Sequence, residues 1–333
     1  MSDLVGEPSD DRRSVVIDCD PGQDDAIALL LAFGTPTIAS SIEFITTVAG
    51  NSAAHVTHRN GRRVVDLATQ RRDEHIAVHR GAERSLAFHS RTYFVGDDEL
   101  PGWETPSPSV GAISERGAGV ERRSAVEALV ELGRRRPAGS VTIYATGPLT
   151  NVALALLADT SFEDALGAVV WMGSSIGRGN ITPAAEFNAS IDPDALAVVL
   201  AAGVDLTVVP AEIGESATID EATLAEIDAV GTPSAAAVAR LVRAMGDDID
   251  RERYARLGRP MYDPTVIAYA ARAEMFEAVP TSLVVDTDSG PSYGSTHFDL
   301  DGRTGGEPNC TLVCSVDASA FRRHLIDTLS SGG

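Results

Sequence analysis

The sequence predicts an α/β fold: one domain built on a mostly parallel sheet whose strands alternate with helices. Three observations predict it. Short apolar runs of strand length alternate with helical patterns from residue 14 onward, the signature of βαβ units. The first run, Val15–Ile17, meets Pro21 and Gly22 and passes directly into DDAIALLLA, which makes a strand, a turn and a helix. No repeat, low-complexity block or linker divides the 333 residues, and 44% of them are hydrophobic, enough for one sizeable core.

Taken in order, residues 1–13 are polar and acidic and read as a disordered tail, with the domain running from 14 to 333. After Val15–Ile17 the helix carries Asp24 and Asp25 in its first turn, where the helix dipole favours negative charge. Ile42–Gly50 reads as a second strand, HVTHRNGRRVVDLATQ as a helix, and His75–Ala82 as a short strand and turn. From Ser90 to Gly119 the periodicity lapses and Gly, Pro and Ser accumulate, so this stretch is expected to be a mobile flap. SAVEALVELGRRR is an amphipathic helix, SVTIYATG a buried strand, PLTNVALALLA a helix and AVVWMGS a strand. DPDALAVVLAAG reads as a helix stopped by Gly203, and VDLTVVP as a strand. Residues 218–257 read as helical with a break at Gly231-Thr232-Pro233, and YDPTVIAYAARA as a further helix. SLVVDTD and CTLVCSVD are expected as late strands, with FRRHLIDTL as the closing helix.

Composition excludes several function classes. A formal charge of −21 and a pI near 4.6 repel polyanions, so a nucleic-acid polymer is not an expected partner. The three cysteines, Cys19, Cys310 and Cys314, are too few and oddly numbered for a disulfide framework, and none has metal-ligand spacing with His. The N-terminus MSDLVGEPSDDRR lacks the apolar core of a signal peptide. No apolar run reaches the ~18 residues of a membrane span. The expected location is the cytoplasm.

The chemistry concentrates in one turn. Asp18, Asp20, Asp24 and Asp25 fall within eight residues at the end of the first strand, the end where open α/β sheets bind ligands. So many like charges repel unless a cation sits among them, and oxygen donors suit calcium or magnesium. A capped helix needs only one such oxygen. An EF-hand does not fit: Gly22 is the fifth residue from Asp18 and not the sixth, Leu29 stands where the bidentate Glu belongs, and a strand leads in. An Asp-x-Asp turn of a phosphohydrolase or sugar-nucleotide enzyme remains open, though it leaves the second acidic pair unexplained.

Six segments carry a resemblance: DCDPGQDDAIALLLA, ITTVAGN ending at Asn51, ATGPLTN (Ala145–Asn151), GNITPAAEFN (Gly179–Asn188), YDPT (Tyr262–Thr265) and GRTGGEPN (Gly302–Asn309). In this order, across roughly residues 14 to 325, they resemble the inosine–uridine-type nucleoside hydrolases. The resemblance implies that family's single-domain fold, a mixed, mainly parallel sheet flanked by helices, and calcium-dependent hydrolysis of ribonucleosides to base and ribose, in nucleoside salvage, by a homodimer or homotetramer. It implies Asp20, Asp25 and Asp263 as calcium ligands through side chains and Thr146 through its carbonyl, with Asp20 also taking the proton of the attacking water. It implies Asp24, Asn51, Glu186 and Asn188 as ribose-hydroxyl binders, Asn180 at the sugar's 5′ end, and Asp18 in a supporting place. Such chemistry passes through a cationic sugar, which carboxylates stabilise. A metal-activated water and a donor to the departing base complete it.

Each residue also has a plainer use. Asn51 and Asn188 can satisfy turn backbone, Glu186 can be a buried structural acid, Thr146 an ordinary turn residue, and Asp263 before Pro264 a helix cap. The sequence also departs from the family. Many members carry a His before the last metal-binding Asp and another in the flap; here Tyr262 and Val95 stand there. Activation of the leaving base therefore falls to Tyr262, as hydrogen-bond donor or by stacking, unless that ring only packs. None of the seven histidines is assigned to catalysis, and Trp103 and Tyr254 are further candidates for stacking. Two competing readings are a nucleoside- or ribose-binding homologue with weak turnover and the Asp-x-Asp phosphohydrolase.

Overall fold

The computed structural model describes residues 13–70, 75–87, 100, 123–245 and 257–331. Residues 1–12 of the expected tail and, apart from Leu100, the expected flap lie outside the described residues, as do Trp103, Tyr254 and Val95.

The core strands are β1 (Ser14–Cys19), β2 (Ile42–Thr47), β3 (Ala77–Arg80), β4 (Val141–Ala145), β5 (Leu166–Met172) and β6 (Leu206–Val209). Short strands β7 (Thr218–Ile219) and β8 (Arg259–Pro260) pair with each other, then come β9 (Phe276–Thr281), β10 (Leu283–Val285), β11 (Thr296–Phe298) and β12 (Cys310–Val316). The main sheet has eight strands in the order β3-β2-β1-β4-β5-β6-β12-β9, and every neighbouring pair is parallel except β12 with β9. The predicted mixed, mainly parallel sheet is therefore present.

Strand β1 is buried along its whole length, as expected for a central parallel strand covered on both faces. Its alternate residues serve opposite layers. Val15, Ile17 and Cys19 pack with α1 (Gln23–Gly34), while Val16 joins Leu129, Leu132 and Phe162 on the other face. The chain lays β2 and β3 on one side of β1, then returns to place β4 on the other. This reversal is a topological switch point, and the crevice beyond the C-terminal ends of β1 and β4 is where such sheets bind ligands. Register aligns those ends: Asp18 lies opposite Thr46 of β2 and Ala145 of β4.

The late chain differs from expectation in two places. Thr218–Ile219 is a strand, and helices begin only at Glu221–Val230 and Pro233–Ala244, because Asp220 and Thr232 cap their N-termini and Gly231 at φ 75° separates them. SLVVDTD does not enter the main sheet; Leu283–Val285 pairs with Thr296–Phe298 in a separate hairpin. The antiparallel sheet edge is instead FEAVPT, whose Glu277, Ala278, Val279 and Pro280 are exposed. Proline and charge suit an edge with one partner and blur the strand pattern.

Candidate active site

Asp18, the last residue but one of β1, is buried, and its Oδ1 accepts from Thr46 Oγ1 (2.6 Å) and Asn151 Nδ2 (2.7 Å). Its Oδ2 is buried without a partner, and burial pushes its pKa up to about 7. The chain then turns, and Asp25, fully buried three residues into α1, gathers the turn around itself. Its Oδ1 accepts from Thr146 Oγ1 (2.7 Å) and the Asp20 N–H (3.2 Å); its Oδ2 accepts from the Gly22 N–H (3.0 Å) and Asn51 Nδ2 (3.1 Å). One carboxylate thus joins the ends of β1, β2 and β4.

Asp20 is 1% exposed. Its Oδ2 accepts the Asn51 N–H at 2.6 Å, while Oδ1 is buried with no partner among the described residues. Two glycines make room for it: a Cβ at Gly50 would lie 2.0 Å from Oδ2, and one at Gly147 would lie 2.7 Å from Oδ1. Asp263 precedes Pro264 at the start of α12 (Pro264–Ala271), but its side chain makes no capping bond. Instead Asp24, Asp25 and Asp263 each bring an oxygen within 4.8 Å of the others. Asp20 stands beside this trio, its N–H on Asp25.

Burial is the largest cause raising the pKa of all four of these acids, and for Asp20 and Asp263 the neighbouring carboxylates add to it. Asp24 rises to about 7, and Asp20 and Asp263 well above the usual carboxylate range. The Asp263 carboxyl therefore stands against those of both Asp24 and Asp25. Two carboxylates approach so closely only around a proton or a cation. The donors are all oxygen and one buried oxygen is unpartnered, so the residues present fit a hard divalent ion.

Hydrogen bonds tie Asn51 and Asn188 of the expected sugar-binding set to the same strand ends. Asn188 is buried, with Nδ2 donating to the carbonyls of Thr146 (2.9 Å) and Met172 (3.0 Å) and Oδ1 left without a partner. Glu186 is buried at the start of the short helix α7 (Phe187–Ile191), where its Oε2 accepts the N–H groups of Ala189 (3.0 Å) and Ser174 (2.8 Å). Burial pushes Glu186 up to about 7. Asn51 also braces the turn, Nδ2 donating to the Asp20 carbonyl at 3.1 Å. Asn180 is exposed and accepts the Phe187 N–H at 2.8 Å. Tyr262 is half-buried beside Asp263, its ring against the backbone of α9 (Ala211–Ser216), where a Cβ at Gly214 would lie 2.4 Å from Cδ1.

His79 is a packed residue: it is 6% exposed, stands edge-on to Phe44 with ring centroids 5.1 Å apart, and hydrogen-bonds the Arg123 carbonyl through Nδ1. Sequence reasoning gave no role to Thr46, Asn151, Gly50, Gly147 or the Thr146 hydroxyl. Asn151 and Gly147 do lie inside ATGPLTN, and Gly50 precedes Asn51, so the segments were found but not their contacts.

The chain is similar to known proteins over nearly its whole length. The family model described as "Inosine-uridine preferring nucleoside hydrolase" matches residues 15–323. The pyrimidine-specific ribonucleoside hydrolase RihA of Enterobacter sp. (strain 638) is 33% identical over 316 residues, covering 95% of this chain and 97% of that protein. An inosine-guanosine nucleoside hydrolase superposes with a TM-score of 0.79 at 26% identity, covering 96% of this chain and 98% of that one. The plant nucleoside hydrolase PpNRh1 shares the fold, with a TM-score of 0.77 at 24% identity and coverage of 96% and 99%. The chain belongs to the inosine–uridine preferring nucleoside hydrolase family and is a hydrolase of N-glycosyl bonds.

Proposed function

We propose that this chain hydrolyses the N-glycosidic bond of ribonucleosides to free base and ribose, in nucleoside salvage, with calcium as its metal. The observation that carries the reading is the buried Asp20 Oδ1, unpartnered at the edge of a convergent carboxylate trio. Asp25, Asp263, Asp20 and the Thr146 carbonyl are the groups proposed to hold the ion. When bound, a divalent ion supplies Lewis acidity that makes water a nucleophile near neutral pH. Asp20 Oδ1 accepts the proton of the attacking water. Asp24, Asn51, Glu186 and Asn188 hold the ribose hydroxyls, and Asn180 meets the 5′ end. Their carboxylates favour the positive charge that develops on the sugar. Tyr262 assists the departing base, by its hydroxyl or by stacking. The family match over nearly the whole chain favours this reading over the Asp-x-Asp phosphohydrolase, and the complete set of acids favours turnover over mere binding. The compartment proposed is the cytoplasm and the assembly a dimer or tetramer.

The test is a panel of nucleosides assayed by release of reducing sugar, with p-nitrophenyl riboside as a substrate whose leaving group needs no acid. Ribosides are expected to exceed 2′-deoxyribosides by about 10³-fold in kcat/KM, because groups built for the 2′-hydroxyl are left unpaired without it. Tyr262→Phe is expected to slow nucleosides far more than the nitrophenyl substrate. Equal rates for inosine and 2′-deoxyinosine contradict the sugar site, and an equal effect of Tyr262→Phe on both substrates removes its acid role.

A further inference from the structure

Ser174 is the one non-glycine residue with positive φ among the described residues, at 75°, a conformation that side chains of L-residues rarely adopt. Such outliers persist where surrounding structure enforces them, and they gather at functional sites. Here the enforcing contacts are visible. Ser174 follows β5 and Gly173, and its N–H donates to Glu186 Oε2 at 2.8 Å. Its carbonyl accepts the Ala211 N–H at 3.0 Å. Its Oγ lies 2.6 Å from Thr296 Oγ1, on β11. Thr296 Oγ1 also lies 3.3 Å from the Ser175 carbonyl, and between the two hydroxyls either can be the donor.

The hairpin that carries Thr296 also lies against the helix that carries Glu186. Gly294, at φ 82°, comes so close that a Cβ there would lie 2.7 Å from the Ser190 Cα. Tyr293 donates its hydroxyl to Asp194 Oδ2 at 3.1 Å. The β10–β11 hairpin therefore grips the sugar-binding segment from outside, and Thr296 is its polar link to the turn beside Glu186.

We propose that Thr296 is a positioning residue: its hydroxyl holds Ser174 in the left-handed conformation that aims the Ser174 N–H at Glu186, and so sets that carboxylate for the ribose. The inference rests on Glu186 binding the sugar. It makes a specific prediction at position 174. Ser174→Ala and Ser174→Gly both delete the hydroxyl, but only glycine adopts positive φ freely. With calcium-loaded full-length protein, Ser174→Ala is expected to raise the riboside KM and the ribose Kd about tenfold, kcat changing less than about threefold, while Ser174→Gly stays within about threefold of wild type. Thr296→Val is expected to match Ser174→Ala when made alone, to add nothing when combined with Ser174→Gly, and to be avoided altogether by the conservative Thr296→Ser. Equal effects of Ser174→Ala and Ser174→Gly, or an undiminished effect of Thr296→Val in the Ser174→Gly background, overturn the inference while wild-type turnover stands. Wild-type protein that neither binds nor hydrolyses ribosides overturns the functional reading and this inference with it.

Discussion

The glycines flanking Asp20 define its position as firmly as its own hydrogen bond does. A methyl group at Gly50 would occupy the space of Asp20 Oδ2, 2.0 Å away, and the Asn51 N–H next along the chain donates to that same oxygen. Gly50→Ala is therefore expected to leave the fold intact and to lower kcat/KM by about 10²-fold, since a displacement near 1 Å of a catalytic group has that effect. Calorimetric calcium titration of the same variant is expected to give a weaker Kd; unchanged turnover and unchanged affinity would mean that Asp20 is not held where the chemistry needs it. At this scale the acids were legible in the sequence, because four carboxylates within eight residues far exceed what capping one helix requires. The glycines and Asn151 were not. Their importance lies in which atoms approach from β2 and β4, and sequence spacing carries no such information.

The β1–α1 turn, as an element, concentrates carboxylates that burial and mutual repulsion make reluctant to ionise. Asp18 and Asp24 are pushed up to about 7 and Asp20 and Asp25 also upward, as are Asp263, which meets the turn from α12, and Glu186, which burial alone pushes to about 7. A group with a raised folded pKa contributes stability that is fully present below its unfolded value, near 4, and is lost as pH rises through the folded value. Each such proton contributes a slope of about 1.4 kcal/mol per pH unit. His58, lowered to about 4 by burial and by Arg62, acts oppositely, as do His79 and His324, but the buried acids outnumber them. Chelated protein is thus expected to have a higher Tm at pH 5.5 than at pH 7.5. The rise in Tm on adding calcium is expected to be larger at pH 7.5, where fewer protons compete for the same oxygens. Thermal scans at the two pH values check both; a calcium effect that shrinks with rising pH would place the ion elsewhere. The strands and helices on either side of this turn were legible, because fully buried parallel strands read as plain apolar runs. The edge strand Phe276–Thr281 was not, because Glu277 and Pro280 interrupt the pattern that burial would impose.

For the whole molecule, the order of strands turns a local acidic motif into a site. The reversal at β1 opens a crevice between the ends of β1 and β4, and long-range returns of the chain bring Thr146, Glu186, Asn188 and Asp263 to it. The fold class followed from the alternation of strands and helices, and the family from segments in series. How distant segments meet, including the separate β10–β11 hairpin, depends on packing that no local pattern encodes. The proposed chemistry requires one cation in that crevice, so reconstitution probes it most directly. The protein is stripped until elemental analysis finds no divalent metal, then titrated with calcium while ribose release from inosine and uridine is followed. The expected result is no turnover in the stripped protein and full recovery at one calcium per chain, with both lost in Asp20→Ala. Undiminished ribose release from protein verified to be free of metal would contradict it.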